Sequence, residues 1–420
     1  MKEAADYLNT SKEKVVRLVN RLLNNVDFVE SNTKSGTSLF PPFTLITRKH
    51  NQQERCYNPE QFDYTSIDLQ VKRHYTPSEI TLMVNNVCAT NCIYCYEDKS
   101  KIHNCQIPLE RIKELIAEAK QLNVRTFDVI GGEYFLYKYW KEVLEELLNK
   151  NFHPYLSTKL PLSETMIETL AIMGIKDIQI SLDTLDASHL SKLLDVQSLY
   201  CEKMKYTLYQ LNKYGIPVKI HSVLAIVNGS IADMSSIYDC IKDMQNIIEW
   251  KIVKADETIY VKDYHSKVEI SNDKLIEVYE YVDSIKNTSK IKIDFDLPIK
   301  KYASKDELKS IFLNRAFCSG LYSSLYILPT GDVTICEQTY WHPHFIVGNV
   351  LSQSLQEIWN SEKAKSIYYI KQEDIPEDSL CRHCTDFAEC RALKQVCYRD
   401  IIKQFGKDKW YYPDPKCPKL

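Results

Sequence analysis

Between residues 80 and 254, short apolar runs rich in β-branched residues alternate with longer stretches whose apolar positions recur every three or four residues. The first pattern buries a strand and the second buries one face of a helix. Strands are expected over Glu79 to Asn85, Arg125 to Ile130, Pro154 to Ser157, Asp177 to Ser181, Val218 to Ala225 and Ile248 to Lys254. Helices near 109–122, 138–150, 162–173, 198–214 and 231–245 fill the intervals. Such βα alternation predicts a parallel sheet with crossover helices.

The two ends of the chain differ from this middle. Helical patterns at 1–8 and 11–24 precede a turn-rich, extended stretch with Gly36, Pro41 and Pro42, which reads either as a winged-helix-like module or as a plain packing extension. Further on, Tyr326-Ile327-Leu328, the turn Pro329-Thr330-Gly331-Asp332 and Val333-Thr334-Ile335 predict a β-hairpin that presents Cys336.

Composition narrows the function classes. The 420 residues carry a formal net charge of -3 and 44% hydrophobic residues. No global field draws in nucleic acid or an anionic membrane, and no basic recognition helix is evident. No apolar run approaches the roughly 20 residues that span a bilayer, and the opening Met-Lys-Glu-Ala-Ala-Asp lacks the apolar stretch of a secretory signal. A cytoplasmic address is expected. There, fourteen cysteines argue for metal sites over disulfides. Three lie at 88–95 and seven at 318–417, while Cys56, Cys105, Cys201 and Cys240 are scattered and are expected to be small buried hydrophobes.

Cys88, Cys92 and Cys95 stand in Cys-Ala-Thr-Asn-Cys-Ile-Tyr-Cys, directly after the first strand. Three thiolates so close can hold three irons of a [4Fe-4S] cubane and leave the fourth iron open to a ligand; a zinc knuckle is the alternative for the triplet alone. The spacing, with Tyr94 as the aromatic before the last cysteine, resembles the signature of the radical SAM enzymes. The resemblance implies a partial (β/α)6 barrel with its chemistry at the carboxyl ends of the strands. It also implies S-adenosylmethionine (SAM) chelated to the open iron and cleaved by one electron to a 5′-deoxyadenosyl radical, which takes a hydrogen atom from substrate.

Further motifs resemble the SAM pocket of that family. Gly131-Gly132-Glu133 follows the second strand, with Tyr134 where a proline is usual, and resembles the motif holding the SAM amino group. Ser157-Thr158-Lys159 ends the third strand, where the family places groups contacting the SAM carboxylate or ribose. Ser181-Leu182-Asp183 resembles the Ser-Leu-Asp motif of the same pocket, although Asp183 could equally cap the next helix. Val223 to Val227, ending at Asn228, resembles the adenine-side wall.

Cys318, Cys336, Cys381, Cys384, Cys390, Cys397 and Cys417 resemble the seven-cysteine SPASM domain, which binds two auxiliary [4Fe-4S] clusters in enzymes that modify peptides and proteins. The step from Cys390 to Cys397 is longer than the three intervening residues usual there. By the family's ligand order, Cys381, Cys384, Cys390 and Cys417 hold an outer cluster, and Cys318, Cys336 and Cys397 an inner one with a vacancy. That vacancy is open to a substrate thiolate, or to water or a non-cysteine ligand. Glu337 occupies the place where related sulfatase maturases keep an acid that removes a proton; a surface or hydrogen-bonding role is the alternative.

The sequence is thus expected to be an α/β protein: an N-terminal α+β extension at 1–77 that could recognise a peptide, a radical SAM core at 78–300 and a SPASM domain at 301–420. The implied activity is hydrogen abstraction from, and cross-linking or oxidation of, a residue in a ribosomally made precursor peptide. Its cofactors are three [4Fe-4S] clusters and SAM, and its electron donor a flavodoxin or ferredoxin, with no nucleic-acid or membrane partner. The rivals are a formylglycine-forming maturase and a non-catalytic iron–sulfur or zinc protein.

Overall fold

The computed structural model describes Ala5 and residues 11–23, 29–33, 36–40, 73–261, 263–295 and 305–420. The chain divides into two compact units, Met1–Gln70 and Val71–Leu420. In the smaller unit the Ser11 hydroxyl accepts from the Lys14 amide and caps helix α1 (Lys12–Leu22), which buries Val15 and Leu22. Strands β1 (Val29–Thr33) and β2 (Gly36–Phe40) follow as an antiparallel pair. The helix expected at 1–8 lies outside the described residues except for Ala5, and Pro41, Pro42 and Cys56 lie outside them altogether.

The larger unit is built on parallel strands. In chain order these are β3 (Glu79–Met83), β4 (Thr126–Ile130), β5 (Ser157–Thr158), β6 (Ile178–Ser181), β7 (Val218–Leu224), β8 (Ile247–Lys254) and β9 (Lys292–Asp294). The crossovers include α2 (Leu109–Gln121), α3 (Trp140–Asn149), α4 (Glu164–Met173), α5 (Ala187–Leu194), α6 (Tyr200–Lys213), α7 (Ile231–Ile241) and α8 (Asn272–Lys286). Ser163, Asp186, Ser230 and Ser271 cap α4, α5, α7 and α8 through their side chains, each cap contributing about 1 kcal/mol.

Strands β5 to β9 form one five-stranded sheet in chain order. A second sheet begins with β4 and β3 and continues into β10 (Ser324–Ile327), β11 (Asp332–Thr334) and β12 (Gly348–Asn349). β10 runs parallel to β3 with Leu325 opposite Ile80, and β11 turns back from it as the expected hairpin. Residues after 318 therefore extend the sheet that carries the first strand. Arg73 strengthens that junction: it donates to the Leu321 and Trp359 carbonyls at 2.7 and 2.6 Å and stacks 4.0 Å over the Trp359 ring.

Strand alternation decides what faces what. On β7, Val218, Ile220, Ser222 and Leu224 are buried while Lys219, His221 and Val223 are half-buried, so one face is buried and mainly apolar and the other carries the titratable pair Lys219 and His221. Polar side chains there satisfy one another: Tyr155 donates to Gln179 at 2.6 Å, Gln179 to Ser181 at 2.8 Å, and Lys219 pairs with Asp177 at 2.9 Å. β4 and β5 share no ladder, but the Asp128 carboxylate accepts the Tyr155 amide at 2.7 Å across the gap.

Four elements depart from expectation, one of them helix α8, whose fifteen residues lie where the sequence pattern assigned no helix. The third strand is only Ser157–Thr158, since Pro154 has no N–H to give to a ladder. Helix α5 has eight residues, too few for a clear helical period, and forms on its Asp186 cap. A seventh parallel strand, β9, follows α8 in a stretch to which the sequence pattern assigned no element.

Candidate functional site

The cysteine loop leaves the carboxyl end of β3 and docks on the end of α5. The amides of Asn91 and Ile93 donate to the carbonyls of Leu194 and Leu193 at 2.8 and 2.9 Å. These belong to the last turn, whose carbonyls have no partner inside the helix. The Thr90 hydroxyl sits 3.4 Å from Cys88 Sγ and 3.3 Å from Cys92 Sγ, which binds the first two sulfurs into one cradle. Burial above all pushes the Cys95 thiol up to about 11. Such a thiol is no nucleophile by itself, but a metal deprotonates a coordinating thiol outright.

Gly131 and Gly132 lie against the start of this loop. A Cβ on Gly132 would stand 2.4 Å from the Val87 carbonyl oxygen and 2.6 Å from its carbon; one on Gly131 would meet the Asn85 oxygen at 3.0 Å. The first contact is with backbone that cannot yield. Gly132→Ala is therefore expected to displace the loop and lose the iron bound by the triplet, and Gly131→Ala to be much milder. Equal iron content in the two purified variants would contradict this.

Glu133 is buried, and its carboxylate accepts from Thr158 Oγ1 at 2.8 Å and from the amides of Lys159 and Phe135 at 3.2 Å each. Burial raises its pKa while these donors pull it down. With about four acceptor positions on a carboxylate, room remains for one more donor. Lys159 Nζ meets Asp183 Oδ2 at 2.9 Å, Tyr94 donates its hydroxyl to the same oxygen, and the Val223 amide donates to Asp183 Oδ1 at 2.8 Å. Burial pulls the Lys159 ammonium down, but Asp183 and the Cys92 sulfur outweigh it and the net shift is upward.

Asp183 thus does not cap the following helix, which Asp186 does. Asn228 fixes the strand end from behind, donating to the carbonyls of Asp183 and Val223 at 2.7 and 2.9 Å. Ser181 is half-buried and accepts from Gln179. Ser157 is half-buried opposite Gln179 in the ladder. Tyr94, Glu133, Thr158, Lys159 and Asp183 are accordingly joined in one network beside the cysteine loop, while Ser157 and Ser181 lie along the neighbouring strands.

Two residues here went unnoticed in the sequence. Glu97, two places after Cys95, is 7% exposed and its Oε2 has no hydrogen-bond partner. Burial pushes its carboxyl up to about 7; Lys99 opposes, and Glu337 and Glu133 add to the rise. His221 lies opposite Ser181 in the ladder, where burial and then Lys159 push it down to about 4. Glu337 is itself raised by burial and acts electrostatically on Glu97, Tyr96 and Tyr326. The only signal for Glu97 was its nearness to Cys95.

The later cysteines fall into two groups. Burial, then the charges of Glu337, Cys318 and Cys397, push the Cys336 thiol up to about 12 against the Gln338 amide. Cys417 acts in the same way with Cys390, Cys381 and Cys384. The sequence resemblance assigns the first three of these cysteines to an inner set and the other four to an outer one. A cavity of about 690 Å³ is lined by members of both, Cys318, Cys397 and Cys417, and by Arg315. All ten cysteines are free thiols. Of the scattered ones, Cys201 is buried as expected, but Cys105 and Cys240 are only half-buried.

Residues 82–239 match the model of the radical SAM superfamily, and residues 318–385 that of the SPASM iron–sulfur cluster-binding domain. The chain is thus similar to the radical SAM superfamily over the first segment and to SPASM domains over the second. Among curated proteins, this chain is 24% identical over 290 residues to the sporulation killing factor maturation protein SkfB of Bacillus subtilis, covering 68% of this chain and 65% of that one. It is 31% identical over 111 residues to a probable GTP 3′,8-cyclase of Archaeoglobus fulgidus, covering 26% of this chain and 37% of the cyclase. The chain thus spans less than two thirds of either relative.

Among solved structures, SuiB of Streptococcus suis bound to its precursor peptide SuiA superposes with a TM-score of 0.62 at 17% identity, covering 99% of this chain and 89% of SuiB. Native anSMEcpe with bound AdoMet gives 0.55 at 13% identity over 81% of this chain and 94% of that one. At such identities the likeness establishes the shared fold. No helix among the described residues is long and apolar enough to cross a membrane.

Proposed function

We propose that this protein is a radical SAM enzyme that oxidises or cross-links a residue of a ribosomally made precursor peptide. The observation that carries the reading is the joining of the three-cysteine loop to a pocket containing Glu133, Thr158, Lys159 and Asp183, in a chain with seven further cysteines. When bound, a site-differentiated [4Fe-4S] cluster and SAM would supply a carbon-centred radical able to take hydrogen from substrate.

The chain's own residues would do the rest. Cys88, Cys92 and Cys95 would hold three irons, and Glu133 would give its remaining acceptor position to the SAM ammonium. Gly131 and Gly132 let the backbone approach, while Thr158, Ser157 and Ser181 offer hydroxyls. Lys159, already paired with Asp183, would serve as much to order the pocket floor as to meet a carboxylate. Cys381, Cys384, Cys390 and Cys417 would hold one auxiliary cluster, and Cys318, Cys336 and Cys397 a second. The buried Glu97 and the half-buried Glu337, both of which act on Tyr96, are the groups proposed to face the peptide, and Glu337 is the candidate base.

A peptide substrate is supported by the likeness to SkfB, a maturation protein, and to SuiB, a structure bound to its precursor peptide. The match to that complex covers 99% of this chain, against 83% for SuiB bound to SAM, and residues 1–70 are proposed as the leader-recognition module. The electron donor would be a flavodoxin or ferredoxin. Anaerobic co-expression with each short reading frame beside the gene tests this: one encoded peptide should lose a pair of hydrogens by mass spectrometry, and should not when Cys88, Cys92 and Cys95 are alanine. Unchanged peptides throughout, with nucleoside still released from SAM, would count against a peptide substrate.

A further inference from the structure

We infer that the outer cysteine set is built to hold its cluster at a higher reduction potential than the inner set, and that Lys419, Arg315 and Arg391 establish the difference. The inference rests on the reading that both sets bind iron–sulfur clusters. Each cation reaches a different sulfur: Lys419 Nζ lies 3.4 Å from Cys384 Sγ, Arg315 Nη2 3.4 Å from Cys390 Sγ, and Arg391 Nη1 3.7 Å from Cys381 Sγ.

The two arginines are cations in search of an anion. Arg391 is 1% exposed; its Nη atoms donate to the carbonyls of Trp410, Tyr411 and Tyr412, and its Nε has no partner. Arg315 donates to the carbonyls of Phe312, Cys390 and Gln395. Among the described residues neither is in a salt bridge. A buried guanidinium such as that of Arg391 is destabilising without a counter-charge, and a cubane held by four thiolates would supply that negative charge to it and to the half-buried Arg315. Lys419 is different, since Asp386 already pairs with it at 3.0 Å.

The inner set has the opposite surroundings. The Cys397 amide donates to Asp414 Oδ2 at 3.3 Å, and Asp414 and Asp400 are both buried. Glu337 adjoins Cys336. Of the cations there, Arg399 is spent on Asp400 and Asp256 at 2.8 and 2.9 Å and Lys416 on Asp400 at 3.2 Å, while Arg315, which touches Cys390 Sγ, also acts on Cys318. Reduction adds a negative charge to a cluster, which N–H donors and cations at its sulfurs stabilise and carboxylates oppose. One electron reaching the inner cluster would then pass to the outer one, oxidising the first as it reduces the second.

The experiment is an anaerobic redox titration of the reconstituted full chain followed by electron paramagnetic resonance, with iron counted in every sample. The outer signal is identified as the one lost when Cys381 and Cys384 are both alanine. In the wild type it should be reduced at a higher potential than the inner signal. In Lys419→Met, a change at a half-exposed side chain, the ratio of reduced to oxidised outer cluster at the wild-type midpoint should fall about threefold; tenfold corresponds to about 59 mV in a one-electron couple. The inner signal should stay put, and Lys419→Arg should restore the outer one. Full iron with an unmoved outer potential, or an inner potential at or above the outer, would overturn the inference alone. Iron that does not fall in the Cys381/Cys384 variant would overturn the two-cluster reading with it.

Discussion

Replacing Cys88, Cys92 and Cys95 together by alanine is expected to lower the iron of the anaerobically reconstituted protein from about twelve to about eight per chain, four being the content of one cubane. Release of 5′-deoxyadenosine from SAM under dithionite should cease. The physical reason is local. The loop is held by amides donating to the end of α5 and by Thr90 between two sulfurs, and these contacts survive removal of the thiols. The variant should therefore keep its fold and its later cysteines. Zinc in place of iron in the wild type, or nucleoside production that persists in the variant, would rule out the catalytic cluster.

Asp183→Ala is expected to destabilise the iron-free protein by about 3–5 kcal/mol, the usual result of removing one partner of a buried ion pair. Here the change strands the Lys159 ammonium, the Tyr94 hydroxyl and the Val223 amide together. The melting temperature should drop by several degrees. The double change Lys159→Met with Asp183→Leu removes both charges and should recover most of that loss, since a buried pair is often replaceable by apolar side chains. Neither variant should bind SAM in calorimetry of the reconstituted protein, which separates the pocket's chemistry from its stability. A single variant as stable as wild type would show that the pair is not buried as described.

Much of the molecule was legible because its signals are local. Five of the crossover helices and all six of the expected strands exist, since alternation and helical period follow directly from which face of an element meets the core. The hairpin into Cys336 was readable from Pro329-Thr330-Gly331-Asp332, where Gly331 takes a positive φ of 87°. Helix α5 and strand β9 were missed because eight and three residues carry too little periodicity, although α5 is the element on which the cysteine loop rests; the fifteen-residue α8 was missed as well, although Leu275, Val278 and Val282 recur on its buried face.

What the amino-acid sequence determined by itself was the chemistry: the spacing of ten cysteines, the glycines before Glu133, and the order of β and α elements. Ligand spacing in a loop and turn chemistry act over a few residues, so neighbours in the chain reveal them. Only the tertiary structure decided which charges meet. Asp183 turned from a candidate helix cap into the partner of Lys159 and Tyr94, 24 and 89 residues away. β10 joined β3, Glu97 was left with an unpartnered oxygen, and three cations came to the outer cysteines while three carboxylates came to the inner. These depend on which strand ends and loops converge once the sheets form. In that low-dielectric interior a charge is stable only beside its complement, a condition that no local pattern records.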